Sequence, residues 1–127
     1  VSYTFWLEKK VLLEKPTHYS IVFGVIGGIQ FSLENLIAFK SSLPPDSTWQ
    51  AIGVAGNCFP AAMAAAITGG QIRCGLEDNI YIDISKKKKA KGSWDQVQKC
   101  VKIAQMANRE PATPEEARKI LNLPKRD

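Results

Sequence analysis

Two short runs, Tyr19–Ile26 (YSIVFGVI) and Trp49–Ala55 (WQAIGVA), are almost continuously apolar. A strand with one wet face alternates polar and apolar residues, whereas a strand of a parallel sheet is covered on both faces and reads apolar throughout. Between the runs stands a helix signal. Ser32 suits the N-cap of a helix over Leu33–Ser42, with Leu33, Leu36 and Ile37 on its inward stripe. Pro44-Pro45-Asp46 closes that helix and turns the chain. A second helix is expected over Pro60–Thr68, with Pro60 near its start and Gly69 at its C-cap. Its alanines (Ala61, Ala62, Ala64, Ala65 and Ala66) let it lie close to a sheet. A third strand follows over Gln71–Glu77. Strand, helix, strand, helix, strand, with crossovers of the length that parallel pairing requires, predicts an α/β fold.

The third strand differs from the other two in carrying charge. Within GGQIRCGLEDN, Gly69 to Asn79, period two sets Ile72, Cys74 and Leu76 on one face and Arg73, Gly75 and Glu77 on the other. Asp78 follows at the C-terminal end, where a loop begins. An ordinary half-exposed strand shows the same alternation. Beside two apolar strands, however, a charged face is expensive unless it is paired, metal-bound or open to a cavity. Arg73, Glu77 and Asp78 are therefore the candidate site residues.

After Asn79 the alternation stops. Ile80–Ser85 leads into Lys86-Lys87-Lys88-Lys89-Ala90-Lys91-Gly92, expected to be a flexible loop. Ser93 and Gln96 form a capping-box pattern for a helix over Trp94–Ala107, with Val97, Cys100, Val101 and Ala104 at helical spacing. Thr113-Pro114-Glu115-Glu116 opens a last helix, carrying Ala117, Ile120 and Leu121 inward. The organisation expected is one fragment, 1–127, with strand–helix repeats over 15–78 and a loop with C-terminal helices over 79–127. Three parallel strands leave two raw edges. They form either a small open sheet or the last strands of a barrel, in which functional residues sit at the C-terminal strand ends. Glu77 and Asp78 fall at such an end, and Gly27-Gly28 and Gly56-Asn57 occupy the corresponding turns.

GGQIRCGLEDNIY, preceded by the alanine-rich helix and followed by REPATPEEARKIL, resembles the C-terminal portion of the β-keto acid cleavage enzyme family. The resemblance runs from about Pro16 and is densest over Gly69–Tyr81. It implies the C-terminal half of a (β/α)₈ TIM barrel with extra C-terminal helices. It also implies a zinc-dependent exchange in which a β-keto acid and acetyl-CoA, as co-substrate, give acetoacetate and a new acyl-CoA. Carried over, Glu77 is the zinc ligand, and Arg73 and Asp78 are the catalytic pair for proton removal and stabilisation of negative charge. The family's His-x-His pair has no counterpart, because the one histidine, His18, precedes the first strand. The remaining zinc ligands are then expected outside this chain, which is not expected to turn over substrate alone. A truncated, non-catalytic α/β remnant or interaction module is the alternative.

Composition narrows the partners. At 127 residues and net charge +5, the chain suits one soluble domain with a modest core. No apolar run reaches the roughly 18 residues of a membrane span. Cys58, Cys74 and Cys100 lack a C-x-x-C spacing and fit reduced thiols in a cytoplasmic protein. The lysine run reads first as a solvated loop, second as a field that steers CoA phosphates. It lacks the interleaved aromatics of a nucleic-acid surface, so the partners expected are a small β-keto acid and a CoA thioester. Val1 opens the chain, and Tyr3, Phe5, Trp6, Leu7, Val11, Leu12 and Leu13 need a covering surface. The expectation is a piece of a larger protein, pairing with a missing N-terminal half or with another copy.

Overall fold

The computed structural model describes Leu7, Lys9, Lys10 and residues 15–124. The remainder of the apolar N-terminal segment, from Tyr3 to Leu13, lies outside the described residues. In chain order the elements are β1 (His18–Phe23), α1 (Leu33–Ser41), β2 (Thr48–Gly53), α2 (Cys58–Thr68), β3 (Gln71–Ile72), β4 (Tyr81–Asp83), β5 (Lys88–Lys89), α3 (Ser93–Met106) and α4 (Pro114–Ile120). A 3₁₀ turn over Ala55–Asn57 joins β2 to α2. The first three strands form one parallel sheet in the order β1-β2-β3, with Tyr19 beside Trp49, Phe23 beside Gly53 and Ala51 beside Ile72. The expected alternation and parallel pairing are both present.

The core lies on one face of this sheet. Tyr19, Ile21 and Phe23 of β1 and Trp49 and Ala51 of β2 pack with Leu36 of α1 and Ala61, Ala64 and Ala65 of α2. Both crossover helices thus cover the same face. Phe23 meets Phe31 and Phe39 edge-on, with ring centroids 5.6 and 6.2 Å apart, the arrangement that aromatic quadrupoles favour. On the opposite face Val22 is 45 % exposed, and Gln50 Nε2 donates to Ser20 Oγ at 2.8 Å. The sheet was expected to be covered on both faces; among the described residues, this second face is open at Val22 and closed over its neighbour Ile52.

Local signals account for most element ends. Ser32 Oγ accepts from Asn35 N at 3.1 Å and caps α1. Gly69 ends α2 at φ 87°, in the left-handed region that favours glycine. Thr113 and Glu116 close a full capping box on α4. Several expectations need correction. In α1 only Leu36 is buried, while Leu33 and Ile37 are exposed, as is Ile120 of α4, which was also expected inward. β3 ends at Ile72 rather than Glu77: although β2 runs on to Gly53, the chain leaves the ladder after Arg73 and curls into a turn closed on the Gly75 carbonyl. The lysine run is no loose loop: Lys88 and Lys89 are β5, paired antiparallel with β4. Ser93 and Gln96 do not form a capping box, since Gly92 is the N-cap and lacks a side-chain bond.

The three cysteines are free thiols, Cys58 and Cys100 buried and Cys74 half-buried. Burial pushes the Cys58 thiol up to about 11. A hydrogen bond between Cys74 and Cys100 lowers the first and raises the second. Brief alkylation of the native protein at pH 8 should therefore mark Cys74 ahead of Cys58 and Cys100, read by peptide mass mapping. Packing gives a second expectation. A Cβ on Gly53 would overlap the Asn57 carbonyl, whereas one on Gly75 meets only Ser93 Oγ at 3.8 Å. Gly53→Ala should cost about 1–3 kcal/mol or more in a denaturant titration, and Gly75→Ala should leave the midpoint almost unchanged.

Candidate active site

The site begins where the ladder ends. Arg73 N makes the last bond to β2, donating to Ala51 O at 3.5 Å. Ile72 packs on the core, so alternation turns Arg73 toward the opposite, open face. Beyond Arg73 the chain curls into a turn, with the amides of Asp78 and Asn79 both donating to Gly75 O at 3.1 Å. Glu77 and Asp78 are therefore turn residues, not strand residues.

Three elements hold this turn. The 3₁₀ turn after β2 donates Ala55 N to Asp78 O at 2.7 Å. From α3, Ser93 Oγ accepts from Leu76 N at 3.4 Å, and the fully buried Gln96 donates Nε2 to Asn79 O. Asn79 is itself locked to the residue two further on: its Oδ1 accepts from Tyr81 N at 3.0 Å and its Nδ2 donates to Tyr81 O at 2.7 Å. Such an Asx turn redirects the backbone from the site into β4. Gln96 and Asn79 are the positioning residues that sequence reasoning missed. The Ser-x-x-Gln spacing was the available signal, but it pointed to a cap rather than to a tertiary bond.

Arg73, Glu77 and Asp78 come together as the sequence led us to expect. Arg73 Nη2 lies 3.0 Å from Glu77 Oε2, and Arg73 Nε lies 3.6 Å from Asp78 Oδ2. The two carboxylates have opposite surroundings, with side chains 82 % exposed for Glu77 and 9 % for Asp78. Asp78 Oδ2 is buried and accepts no hydrogen bond. Burial raises the Asp78 carboxyl above its ordinary range, Arg73 opposes that rise and Glu77 adds to it. A desolvated carboxylate with a vacant lone pair is a proton acceptor. The exposed Arg73–Glu77 pair adds only about 0–1 kcal/mol of stability, so its geometry matters more than its energy.

The remaining candidates take structural places. His18 sits at the opposite, N-terminal end of the sheet, its Nδ1 bonded to Thr48 Oγ1 at 2.8 Å, with burial holding its pKa below the usual value. Gly28 N closes a turn onto Val25 O at 2.9 Å, which accounts for Gly27-Gly28 without a ligand. Trp94 is more than half exposed and lies against Gly92 at the start of α3. As for zinc, Glu77 offers one hard oxygen donor, but no group of three His, Cys, Asp or Glu able to hold a metal occurs among the described residues. A complete zinc site needs three or four protein ligands, so this donor set does not make one by itself.

The family model for beta-keto acid cleavage enzymes matches residues 1–123. The chain is 38 % identical over 125 residues to a 3-keto-5-aminohexanoate cleavage enzyme of Fusobacterium nucleatum, covering 98 % of this chain and 44 % of that protein. It is 40 % identical over 119 residues to the enzyme of the same name from Acetoanaerobium sticklandii, covering 94 % of this chain and 43 % of that protein. It is also 29 % identical over 125 residues to 3-dehydrocarnitine:acetyl-CoA trimethylamine transferase of Rhizobium meliloti, covering 95 % and 41 %. The chain thus spans under half the length of these relatives. With a match over nearly its whole length, and with Arg73, Glu77 and Asp78 gathered at the carboxyl end of a parallel sheet, the chain belongs to the β-keto acid cleavage enzyme family.

Proposed function

We propose that this chain is the C-terminal part of a cytoplasmic, zinc-dependent β-keto acid cleavage enzyme, which converts a β-keto acid and acetyl-CoA into acetoacetate and an acyl-CoA. One observation carries the reading: a guanidinium stands between an exposed and a buried carboxylate at the C-terminal edge of the sheet. The name of the Rhizobium meliloti relative, an acetyl-CoA trimethylamine transferase, supports the co-substrate. In this reading 1–127 is one fragment, and β1, β2 and β3 are the last strands of a (β/α)₈ barrel. The placement of both crossover helices on one face supports that arrangement, because a barrel keeps its helices outside its strands. The rest of the barrel comes from a preceding half of the protein, and the sheet edges make a lone fragment prone to pair with another copy.

The chemistry assigned to this chain is proton handling. The carbon between a keto group and a carboxylate is acidic, and Asp78 Oδ2 accepts its proton. Arg73, 3.6 Å from that oxygen, balances the enolate charge as it forms. The enolate carbon bonds to the acetyl carbonyl carbon and the CoA thiolate leaves. The thiolate then adds to the original keto carbon, whose bond to the carboxylate-bearing carbon breaks. This gives the acyl-CoA and acetoacetate, with the proton returned from Asp78. Glu77 is proposed as one zinc ligand, with the others outside the described residues. Zinc held there would act as a Lewis acid on the keto-acid carbonyl.

Three variants of the complete polypeptide test the roles. Glu77→Gln should weaken zinc retention and lower turnover by at least about 10²-fold, the scale for one preorganised electrostatic group. Asp78→Asn should keep its metal and lose rate, because a carboxamide cannot take up a proton. Arg73→Lys should also lose rate, since an ammonium cannot address two carboxylates with a planar fork. Metal analysis beside steady-state kinetics decides. Zinc lost in Asp78→Asn but kept in Glu77→Gln would exchange the two carboxylate roles, and wild-type rates in all three would dispose of the site.

A further inference from the structure

The lysine run occupies a built element. β4 and β5 pair with Tyr81 beside Lys89 and Asp83 beside Lys88. Ala90 N donates to Ile80 O at 2.9 Å and Lys87 N to Ile84 O at 3.1 Å, closing the hairpin at both ends. It is anchored to the helices. Lys99 of α3 donates Nζ to Ile82 O at 2.6 Å while standing 3.7 Å over the Phe59 ring of α2. The Ile84 side chain lies against Gly56, in the turn that leads from β2 to α2. The hairpin therefore stands beside the C-terminal end of the sheet, and Tyr81 follows Asp78 by three residues.

Its charge is uncompensated. Lys86 meets Asp83 at 3.9 Å, but among the described residues Lys87, Lys88, Lys89 and Lys91 form no ion pair, and all four are exposed. Asp83 is already engaged by Ser85 Oγ and Lys86 N, and Asp95 by the amide of Lys91. Like charges on a flexible loop relax by spreading apart. On a hairpin the backbone holds them together, and their repulsion is relieved by a polyvalent anion. Ammonium groups bind phosphate as point charges and need no fixed fork geometry.

We propose that this hairpin docks the phosphates of the CoA thioester. The inference rests on the reading above for the identity of the thioester, and it extends that reading to a second part of the same substrate. Position supports it: Lys89 stands beside Tyr81 and Lys88 beside Asp83, so the lysines flank the strand that leads directly out of the site turn. A ligand joining the two places has its reacting thioester near Asp78 and several phosphates over the hairpin. Coenzyme A has that layout.

The test uses the complete polypeptide and the combined variant Lys87→Gln, Lys88→Gln, Lys89→Gln, all exposed side chains. A thermal melt matching the wild type confirms folding, and the charge reversal Lys88→Glu serves as a milder second variant. Calorimetry with adenosine 3′,5′-bisphosphate as probe should show binding by wild type and at least tenfold weaker binding by the combined variant. The KM for acetyl-CoA should rise at least tenfold with kcat within twofold, whereas the KM for S-acetylpantetheine, which lacks phosphate, moves less than twofold. Equal bisphosphate affinity in wild type and variant overturns the proposal, as does tighter binding of a DNA oligonucleotide than of the bisphosphate. Wild type that binds the bisphosphate through these lysines yet does not turn over acetyl-CoA refutes the cleavage reaction and leaves the phosphate site standing. Turnover with an unchanged KM in the variant does the reverse.

Discussion

The closeness of α2 to β2 governs the C-terminal end of the sheet. Ala61, Ala64 and Ala65 place only methyl groups against the strands and are almost inaccessible to solvent. Gly53, at the end of β2, touches the backbone of Asn57 where any side chain would overlap it. A helix this near leaves no room for β2 to continue. The strand breaks into the Ala55–Asn57 turn, with Ala55 itself at φ 53°. That break frees the Ala55 amide to bind the carbonyl of Asp78, which fastens the site turn to the end of the sheet.

From that turn follows the division between two adjacent carboxylates. Glu77 points to water and Asp78 is covered, although they are sequence neighbours with the same functional group. Environment, not residue type, separates a carboxylate open to solvent from one held in a desolvated place. Arg73 joins them and keeps the buried one from drifting still further toward its neutral form. Polar positioning makes this possible. Gln96, wholly buried on α3, spends its amide on the Asn79 carbonyl, so the turn is tied to a helix distant in sequence.

The same economy appears in the lysines. Lys99 is consumed internally, by a carbonyl of β4 and an aromatic face of α2, and its charge serves to fasten the hairpin. The lysines of the hairpin itself have no such employment among the described residues. The lysines of the hairpin and of α3 are thus cations of two kinds, available and structural, which burial and partners distinguish while composition does not.

How much was legible in the sequence follows from the range of the forces involved. The apolar strands, the Ser32 and Thr113 caps, the Gly69 terminus and the small-residue face of α2 are written in local chemistry, where a side chain acts on its own turn or strand. The gathering of Arg73, Glu77 and Asp78 was legible because six residues hold all three. Tertiary structure decided what depended on distant partners. β3 is short because the chain curls into the site turn, Ser93 and Gln96 serve that turn in place of the helix end, and Lys88 and Lys89 become a strand because β4 lies opposite. A local pattern states what a residue is able to do. Which of its possible hydrogen bonds it makes is settled by whatever lies within about 3 Å in the folded chain, and for these residues that neighbour is remote in sequence.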